Sequence, residues 1–182
     1  MFNLLNFYTI AGNMETIKAI MTRRSIRSYT GKKVSASQIK KLLEAAMNAP
    51  SACNQQAWQF IVVSDRKGLT AITKIHPYAQ MLKQASCSIV VCGDIKAEQC
   101  KDYWVQDCSA ATQNILLAAH ALGLGAVWLG VYPRMERLKN LQKLLGMPKK
   151  VMPLSIISIG YPKTKVKPVN RYSAKKVHHD KW

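Results

Sequence analysis

Acidic residues are scarce in this sequence. It has 9 Asp and Glu against 27 Lys and Arg, which gives a formal net charge of +18 over 182 residues. A hydrolase that works with two carboxylates has few candidates in such a chain. The charge favours anionic partners, namely nucleic acid, acidic lipid or phosphate-bearing small molecules. Because the basic residues are spread along the whole chain, we interpret most of them as a solvated surface.

Several motifs that would identify a catalyst are also missing. The chain has no GxxxxGK[ST] phosphate loop and no GxSxG serine elbow. "GLGAVWLG" holds two glycines of a dinucleotide fingerprint, but it lies between a predicted helix and a strand, the reverse of the required order. The four histidines show no ligand spacing, which predicts that there is no metal site. The chemistry is therefore expected to belong to a cofactor.

The cysteines show no close pairing pattern, and their number is odd: Cys53, Cys87, Cys92, Cys100 and Cys108. This predicts free thiols and a reducing, cytoplasmic compartment. Cys53 lies in a polar loop with no activating group near it in sequence, so we interpret it as a bystander rather than a nucleophile.

Long apolar runs are absent as well. The run from Ile115 to Val131 is too short for a membrane span and is interrupted by Gly123 and Gly125. The first thirteen residues have no basic segment followed by a strong apolar stretch, so they predict no secretory signal. We expect a cytoplasmic protein with no membrane partner.

Apolar periodicity and turn residues predict one domain over residues 1–182, with alternating helices and strands. Helices are predicted over 14–22, 35–48, 102–122 and 133–146, with a short one from Arg66 capped by Asp65. Strands are predicted over 58–65, 87–94, 126–131 and 153–161, and the first is predicted to be central. The helix over 102–122 is apolar nearly all round, which predicts that it is buried. The fold class is α+β or three-layer α/β.

Four segments occur in the order found in the FMN-dependent nitroreductase family: "RRSIRSY", "APSACNQQAWQF", "DCSAATQNILLAAHALGLGAVWLG" and "NRYSAKKVHHDKW". The chain resembles this family from Met14 to Trp182. The resemblance implies a mixed, largely antiparallel sheet flanked by helices, in an intertwined homodimer with FMN at the interface. It implies that residues 162–182 are a basic tail that packs on the partner. Residues 1–13 precede the position at which members of the family usually start. They are either an annotation artefact or an extra interface arm.

The resemblance assigns the phosphate and the polar ring edge of FMN to the arginine cluster: Arg23, Arg24, Ser25 and Arg27. Guanidinium groups suit a phosphate because their planar fork binds two oxygens at once. Arg171 matches a tail arginine that completes the phosphate site, although it is also one more charge in a basic tail.

The resemblance assigns a second set of contacts to a loop that reaches the flavin from the partner subunit: Pro50, Ser51, Ala52, Asn54 and Gln56. Turn chemistry is the alternative interpretation of Asn54 and Gln56. Ala57 departs from the family pattern, which often has proline there.

Three further residues are assigned to the flavin. Gln113 lies in an apolar helix and needs a hydrogen-bond partner, which is either the flavin or a backbone carbonyl. Leu129 and Gly130 resemble a strand end that passes close to the flavin ring, where glycine permits close approach.

The activity that the resemblance implies is hydride transfer from NAD(P)H through flavin N5 to a small-molecule acceptor, such as a nitroaromatic, a quinone or a similar electrophile. No side chain is assigned as a catalyst. Enone reduction, dehalogenation and flavin fragmentation are alternatives on the same fold. A non-enzymatic, basic nucleic-acid-binding protein is the alternative from another class, although we expect no specific nucleic-acid partner.

Overall fold

Four antiparallel strands form the centre of the fold, in the spatial order β1-β2-β4-β3. They are β1 (Trp58–Val63), β2 (Cys87–Asp94), β3 (Gly125–Gly130) and β4 (Val151–Gly160). The structure is a computed structural model that describes residues 14–182, and the predicted extension over residues 1–13 lies outside the described part.

Five α-helices cover the sheet within residues 14–182. They are α1 (Thr16–Thr22), α2 (Ala36–Met47), α3 (Arg66–Ile75), α4 (Trp104–Ala121) and α5 (Met135–Leu145). None of these helices is long and apolar enough to span a bilayer.

Strand β2 shows why the helices form two layers. Its side chains alternate between the faces of the sheet, as the pleat requires. Ile89 and Val91 pack in one apolar cluster with α2 and α4, whereas Val90 and Cys92 pack in the other with α3 and α5. The prediction of a three-layer α/β domain with a largely antiparallel sheet is therefore confirmed.

The predicted place of β1 is wrong. Its apolar second half, up to Val63, predicts a central strand, but β1 pairs with β2 alone and forms one edge of the sheet described here. Val62 is 38% exposed. The central strands are β2 and β4, whose side chains are buried almost throughout.

Local signals fix the helix ends well. The Ser35 hydroxyl accepts a hydrogen bond from the backbone N–H of Gln38, whose side chain accepts from the N–H of Ser35, which is the predicted capping box. Asp65 caps α3 by accepting from Gly68 N–H at 2.7 Å. Gly146 ends α5 with φ at +62°, a conformation that glycine adopts without steric cost.

The segment that follows α1 runs along the free edge of β3. Ser25 forms a parallel bridge with Ala126, and Ile26 N–H donates to the Ala126 carbonyl at 3.0 Å. This approach requires glycine at position 125, because a Cβ there would lie 2.6 Å from Cγ2 and 2.8 Å from Cβ of Ile26. The bare backbone of Gly125 thus lets the arginine-bearing segment dock on the sheet.

We predict that Gly125→Ala lowers the free energy of unfolding by about 1–3 kcal/mol, since the new methyl group overlaps a branched side chain. Chemical denaturation monitored by circular dichroism measures this. Gly130→Ala is the matched control on the same strand, because a Cβ there meets no heavy atom within 4 Å. Equal stability of the two variants would contradict the prediction.

Candidate functional site

A cavity of about 440 Å³ opens at the C-terminal end of β3. Its wall includes Arg27, delivered by the segment that pairs with β3, together with Leu129 and Gly130 from the strand itself. Leu129 is buried, whereas Gly130 is exposed. Since a Cβ on Gly130 would meet nothing within 4 Å, the glycine leaves bare backbone at the cavity wall. Three of the residues assigned to the flavin ring are thus brought together.

A second cluster of predicted residues forms where the tail passes α1. Partial burial is the largest cause of the lowered pKa of Arg23, and the positive charges of Arg24 and Arg171 lower it further. Arg171, which lies 148 positions after Arg23 in the sequence, is therefore close enough in space for its charge to act on Arg23. Among residues 14–182, no carboxylate forms an ion pair with either guanidinium group. The cluster is short of negative charge, as an anion site requires.

Arg24 has a different part in this cluster. Its guanidinium donates from Nε to the Lys167 carbonyl at 3.3 Å and from Nη2 to the Val169 carbonyl at 3.2 Å. Nη1 donates to the carbonyl of Arg23. Arg24 thus ties the tail to the body of its own protomer, which brings Arg171 towards Arg23. The Ser25 side chain beside it is exposed.

The predicted loop is built on a buried carboxylate that the sequence reasoning missed. Asp107 of α4 accepts from the Ala52 N–H at 2.9 Å and from Gln55 Nε2 at 2.6 Å. Gln55 Oε1 in turn accepts from the N–H groups of Gln99 and Cys100. Asp107 is the only acidic residue of α4, and this was the available signal, since a buried charge needs partners.

The side chains assigned to the flavin lie on the outside of this loop. Pro50, Asn54 and Gln56 are exposed, and Gln56 Nε2 donates to Asn54 Oδ1 at 2.9 Å. The Ser51 hydroxyl accepts from the Gln56 N–H at 3.1 Å. None of these residues lines the cavity at Gly130 of the same protomer, so their assignment to the flavin of a partner stays a prediction.

The burial expected of Gln113 is wrong for this protomer, and its assignment to the flavin stays a prediction. The apolar helix predicts a buried amide that needs a partner, but Gln113 is exposed on α4. The next residue, Asn114, is the one that donates inward, from Nδ2 to the Ala45 carbonyl at 3.0 Å. Helix α4 is also not buried all round, because Ala121 is exposed and Leu117 only half-buried.

The prediction of free thiols is wrong for two cysteines. Cys53 in the loop and Cys100 before α4 form a disulfide bond across 47 residues, with their Cα atoms 6.3 Å apart. The other three cysteines are free and buried. No local sequence pattern predicts this pairing, because the loop and the chain before α4 come together only in the tertiary fold.

Behind Gly130 lies a pair of residues that the sequence reasoning did not connect. His76 Nδ1 accepts from the Tyr78 N–H at 3.3 Å, which assigns the proton of the neutral ring to Nε2. This Nε2 lies 3.0 Å from the Gly130 carbonyl oxygen and 3.1 Å from Arg137 Nη1. Arg137 Nη1 donates to the same carbonyl at 2.6 Å. His76 is 2% exposed, and burial lowers its pKa. The two donors fix the backbone at the cavity wall.

Carboxylates contribute little charge to these sites. Within residues 14–182 the single ion pair is the exposed Lys40–Glu44 contact on α2. Asp94 and Glu98 accept backbone hydrogen bonds at turns. In this part of the chain no group of His, Cys, Asp and Glu is arranged to hold a metal ion.

Known proteins resemble this chain in sequence and in fold. The sequence profile described as "Nitroreductase family" matches residues 20–80 and 74–161. The chain belongs to the nitroreductase family. A protein of Archaeoglobus fulgidus, provisionally named NADH dehydrogenase/NAD(P)H nitroreductase, is 51% identical over 172 residues, covering 92% of this chain and 99% of the relative.

Solved structures of nitroreductases share the fold. A crystal structure from Parabacteroides distasonis, with the same provisional name, superposes with a TM-score of 0.88 at 44% identity and covers 92% of this chain and 98% of that one. An FMN-dependent nitroreductase of Clostridium difficile gives a TM-score of 0.85 at 35% identity, covering 91% and 99%. The family profile ends at residue 161, so the position of Arg171 beside Arg23 rests on the structure of this nitroreductase itself.

The surroundings of His76 predict a pH dependence of stability. The folded pKa lies below the ordinary value, so at low pH the unfolded chain binds a proton that the folded ring resists. The free energy of unfolding should therefore fall as the pH drops below about 6.5. His120, whose pKa burial also lowers, acts in the same direction.

His76→Gln should reduce this slope, because glutamine is a neutral donor that does not titrate. Denaturant unfolding at pH 7 and pH 5 measures it. His179→Gln, a change in the exposed tail, is the control that should keep the wild-type slope. A slope unchanged in His76→Gln would contradict the assignment.

Proposed function

We propose that this nitroreductase-family protein is an FMN-dependent NAD(P)H oxidoreductase that reduces a small electrophilic acceptor, such as a nitroaromatic or a quinone. The observation that carries the proposal is the convergence of Arg23 and Arg171 without a counter-charge. The names of the relatives, which include an FMN-dependent nitroreductase and an FMN reductase, support it.

The phosphate end of FMN fits the arginine cluster. Two guanidinium groups that lie near each other without a counter-charge are stabilised by a dianion placed between them. Neither Arg23 nor Arg171 donates a side-chain hydrogen bond to another described residue, whereas Arg24 donates twice to carbonyls of the tail and once to the carbonyl of Arg23. We therefore assign the phosphate to Arg23 and Arg171 and treat Arg24 as the residue that positions the tail.

The ring end of FMN fits the cavity at the end of β3. A flat ring needs a wall without side chains, and Gly130 supplies bare backbone there. Arg27 lines the same cavity and can donate to the polar edge of the ring. Its fixed positive charge favours whichever form of the ring carries more negative charge.

FMN, when bound, supplies the two-electron chemistry that connects NAD(P)H with the acceptor. The side chains bind and orient: Arg23 and Arg171 hold the phosphate, Arg27 holds the ring edge, and His76 with Arg137 fix the Gly130 backbone. No acidic or basic catalyst is required of the chain. The acceptor class is inferred from the family and from the space beside Gly130, not from a contact.

The loop with Asn54 and Gln56 supports a site shared between two copies. Its polar side chains are exposed and distant in sequence from the arginines, and they do not line the Gly130 cavity of their own protomer. We propose that they complete the flavin site of a partner subunit.

An apolar surface suitable for that partner lies on α1, α2 and α4. Ile17, Ile20 and Met21 of α1 are 64%, 48% and 56% exposed, and Met47 of α2 is 53% exposed. A groove of about 630 Å³ beside them is lined by small and apolar side chains that include Leu117. Exposed apolar surface of this kind is typical of interfaces, and we assign it to a second copy of this chain.

We predict that the purified protein absorbs as a flavoprotein and that Arg171→Ala weakens FMN binding roughly ten- to hundredfold, the loss expected for one charge-assisted phosphate contact. Fluorescence titration of the apoprotein with FMN measures this. Lys139→Ala, an exposed charge on α5, is the control with the same change in net charge. Equal loss in both variants would mean that only the overall charge matters.

The ring end is tested by Gly130→Ala in the same titration. A methyl group at the cavity wall should weaken FMN binding about tenfold or more, while the apoprotein keeps its stability, because the Cβ meets no protein atom. An unchanged FMN affinity would show that the ring does not lie against Gly130.

We predict that the protein is a homodimer and that Ile17→Asp combined with Ile20→Asp separates the chains. Each buried isoleucine contributes about 1.5–3 kcal/mol, and both copies lose two of them. Light scattering measures the mass. Leu144→Asp on α5, where the side chain is 38% exposed, is the control that should leave the dimer intact. A wild-type monomer that retains FMN would contradict the shared site.

A further inference from the structure

Among residues 14–182, the cysteines that solvent can reach are Cys53 and Cys100. Cys87, Cys92 and Cys108 are buried thiols. Burial raises the pKa of Cys87 to about 11 and that of Cys108 to about 12, and it raises the pKa of Cys92 as well. Such thiols carry almost no thiolate and react slowly. In contrast, Cys53 is exposed and Cys100 is half-buried, and the two are bonded to each other.

The disulfide joins the tip of the loop to the chain before α4. The tip is otherwise held by Ser51, whose carbonyl accepts from the Asn54 N–H and whose hydroxyl accepts from the Gln56 N–H. Asp107 and Gln55 fix the base of the loop through hydrogen bonds that do not involve the sulfurs. The tip is backbone in the left-handed region, with φ of 51° at Cys53, 49° at Asn54 and 48° at Gln56. Residues other than glycine adopt this conformation rarely, and it persists where the surroundings impose it.

We propose that Cys53 and Cys100 form a reversible thiol–disulfide modification site that sets the conformation of the loop tip, which is Cys53, Asn54 and Gln56 on either side of the anchored Gln55. A dithiol opens it: one thiolate attacks a sulfur of the pair, a mixed disulfide forms, and the second thiol displaces the remaining cysteine. Two electrons and two protons pass from the dithiol to the two cysteines, and the dithiol leaves as a disulfide. The reverse exchange with a disulfide oxidant closes the pair.

Opening the pair has a consequence for the cofactor, and this step rests on the proposed function. Asn54 and Gln56 are bonded to each other at the tip, and we have assigned them to the flavin of the partner. When Cys53 is released, the left-handed tip loses its covalent link to the chain before α4, and the hydrogen bonds of Gln55 alone connect the loop to that segment. The reduced protein therefore binds FMN more weakly than the oxidised protein does.

The first experiment tests the site itself. The purified protein is treated with oxidised glutathione or with dithiothreitol, alkylated without denaturation and digested for mass spectrometry. We expect a linked peptide that joins Cys53 to Cys100 after oxidation, and alkylation of these two cysteines, with the other three unmodified, after reduction. Absence of the linked peptide from the oxidised sample would overturn the proposal.

The second experiment tests the conformational effect without any cofactor. Hydrogen exchange is compared between the oxidised and reduced apoprotein, with Cys100→Ser as a near-isosteric variant that cannot close the pair. The amides of Asn54 and Gln56 should exchange about tenfold faster or more in the reduced protein and in Cys100→Ser, because local opening is no longer restrained. The amide of Ala52, held by Asp107, should change little. Equal exchange of the tip in both redox states would overturn the proposal.

The third experiment separates this inference from the proposed function. FMN titration should give a dissociation constant about three- to tenfold higher for reduced than for oxidised wild type, and Cys100→Ser should match the reduced value with or without dithiothreitol. Equal affinities in the two states would overturn the link from the loop to the cofactor. If FMN bound in neither state, the proposed function would fail, and the peptide map and hydrogen exchange would still decide whether the redox site exists.

Discussion

The docking of one short segment on the free edge of β3 organises the candidate site. Ile26 donates its N–H to the Ala126 carbonyl, and this approach is possible because Gly125 has no side chain. From that anchor the backbone places Arg27 in the cavity next to Gly130 and leaves Arg23 near the end of α1. The contact is made of backbone, so it sets where the arginines are and leaves the guanidinium groups of Arg23 and Arg27 without a side-chain hydrogen bond to another described residue.

The tail depends on the same anchor. Arg24, held within the docked segment, binds the carbonyls of Lys167 and Val169, and Lys163 N–H donates to the Ser28 carbonyl at 3.0 Å. This part of the tail therefore packs on its own protomer and delivers Arg171 to Arg23. Arg24 thus positions Arg171. This explains why the cluster contains more arginines than would contact a bound anion. Contacts of the rest of the tail with a partner stay a prediction.

The shortage of acidic residues has a structural counterpart. Asp65, Asp94 and Glu98 accept hydrogen bonds from backbone N–H groups, and Asp107 is buried beneath the loop. These carboxylates hold turns and helix ends instead of neutralising lysine and arginine, so the positive field at the arginine cluster is not cancelled locally. A field of this sign attracts anionic cofactors and nucleotides to the cluster.

The sequence by itself determined the parts of the fold that depend on neighbours within a few residues. The capping box at Ser35, the cap at Asp65 and the stop at Gly146 follow from side chains three or four positions apart or from one φ angle. The apolar runs predicted the four strands, and the motif order indicated the family. The tertiary structure alone decided the edge position of β1, the exposure of Gln113 and the bond between Cys53 and Cys100. It also decided that Arg24 binds the tail and that His76 supports Gly130. Each of these features either involves groups that lie tens of residues apart or more, or depends on which faces of an element the other elements cover. No local sequence pattern contains that information.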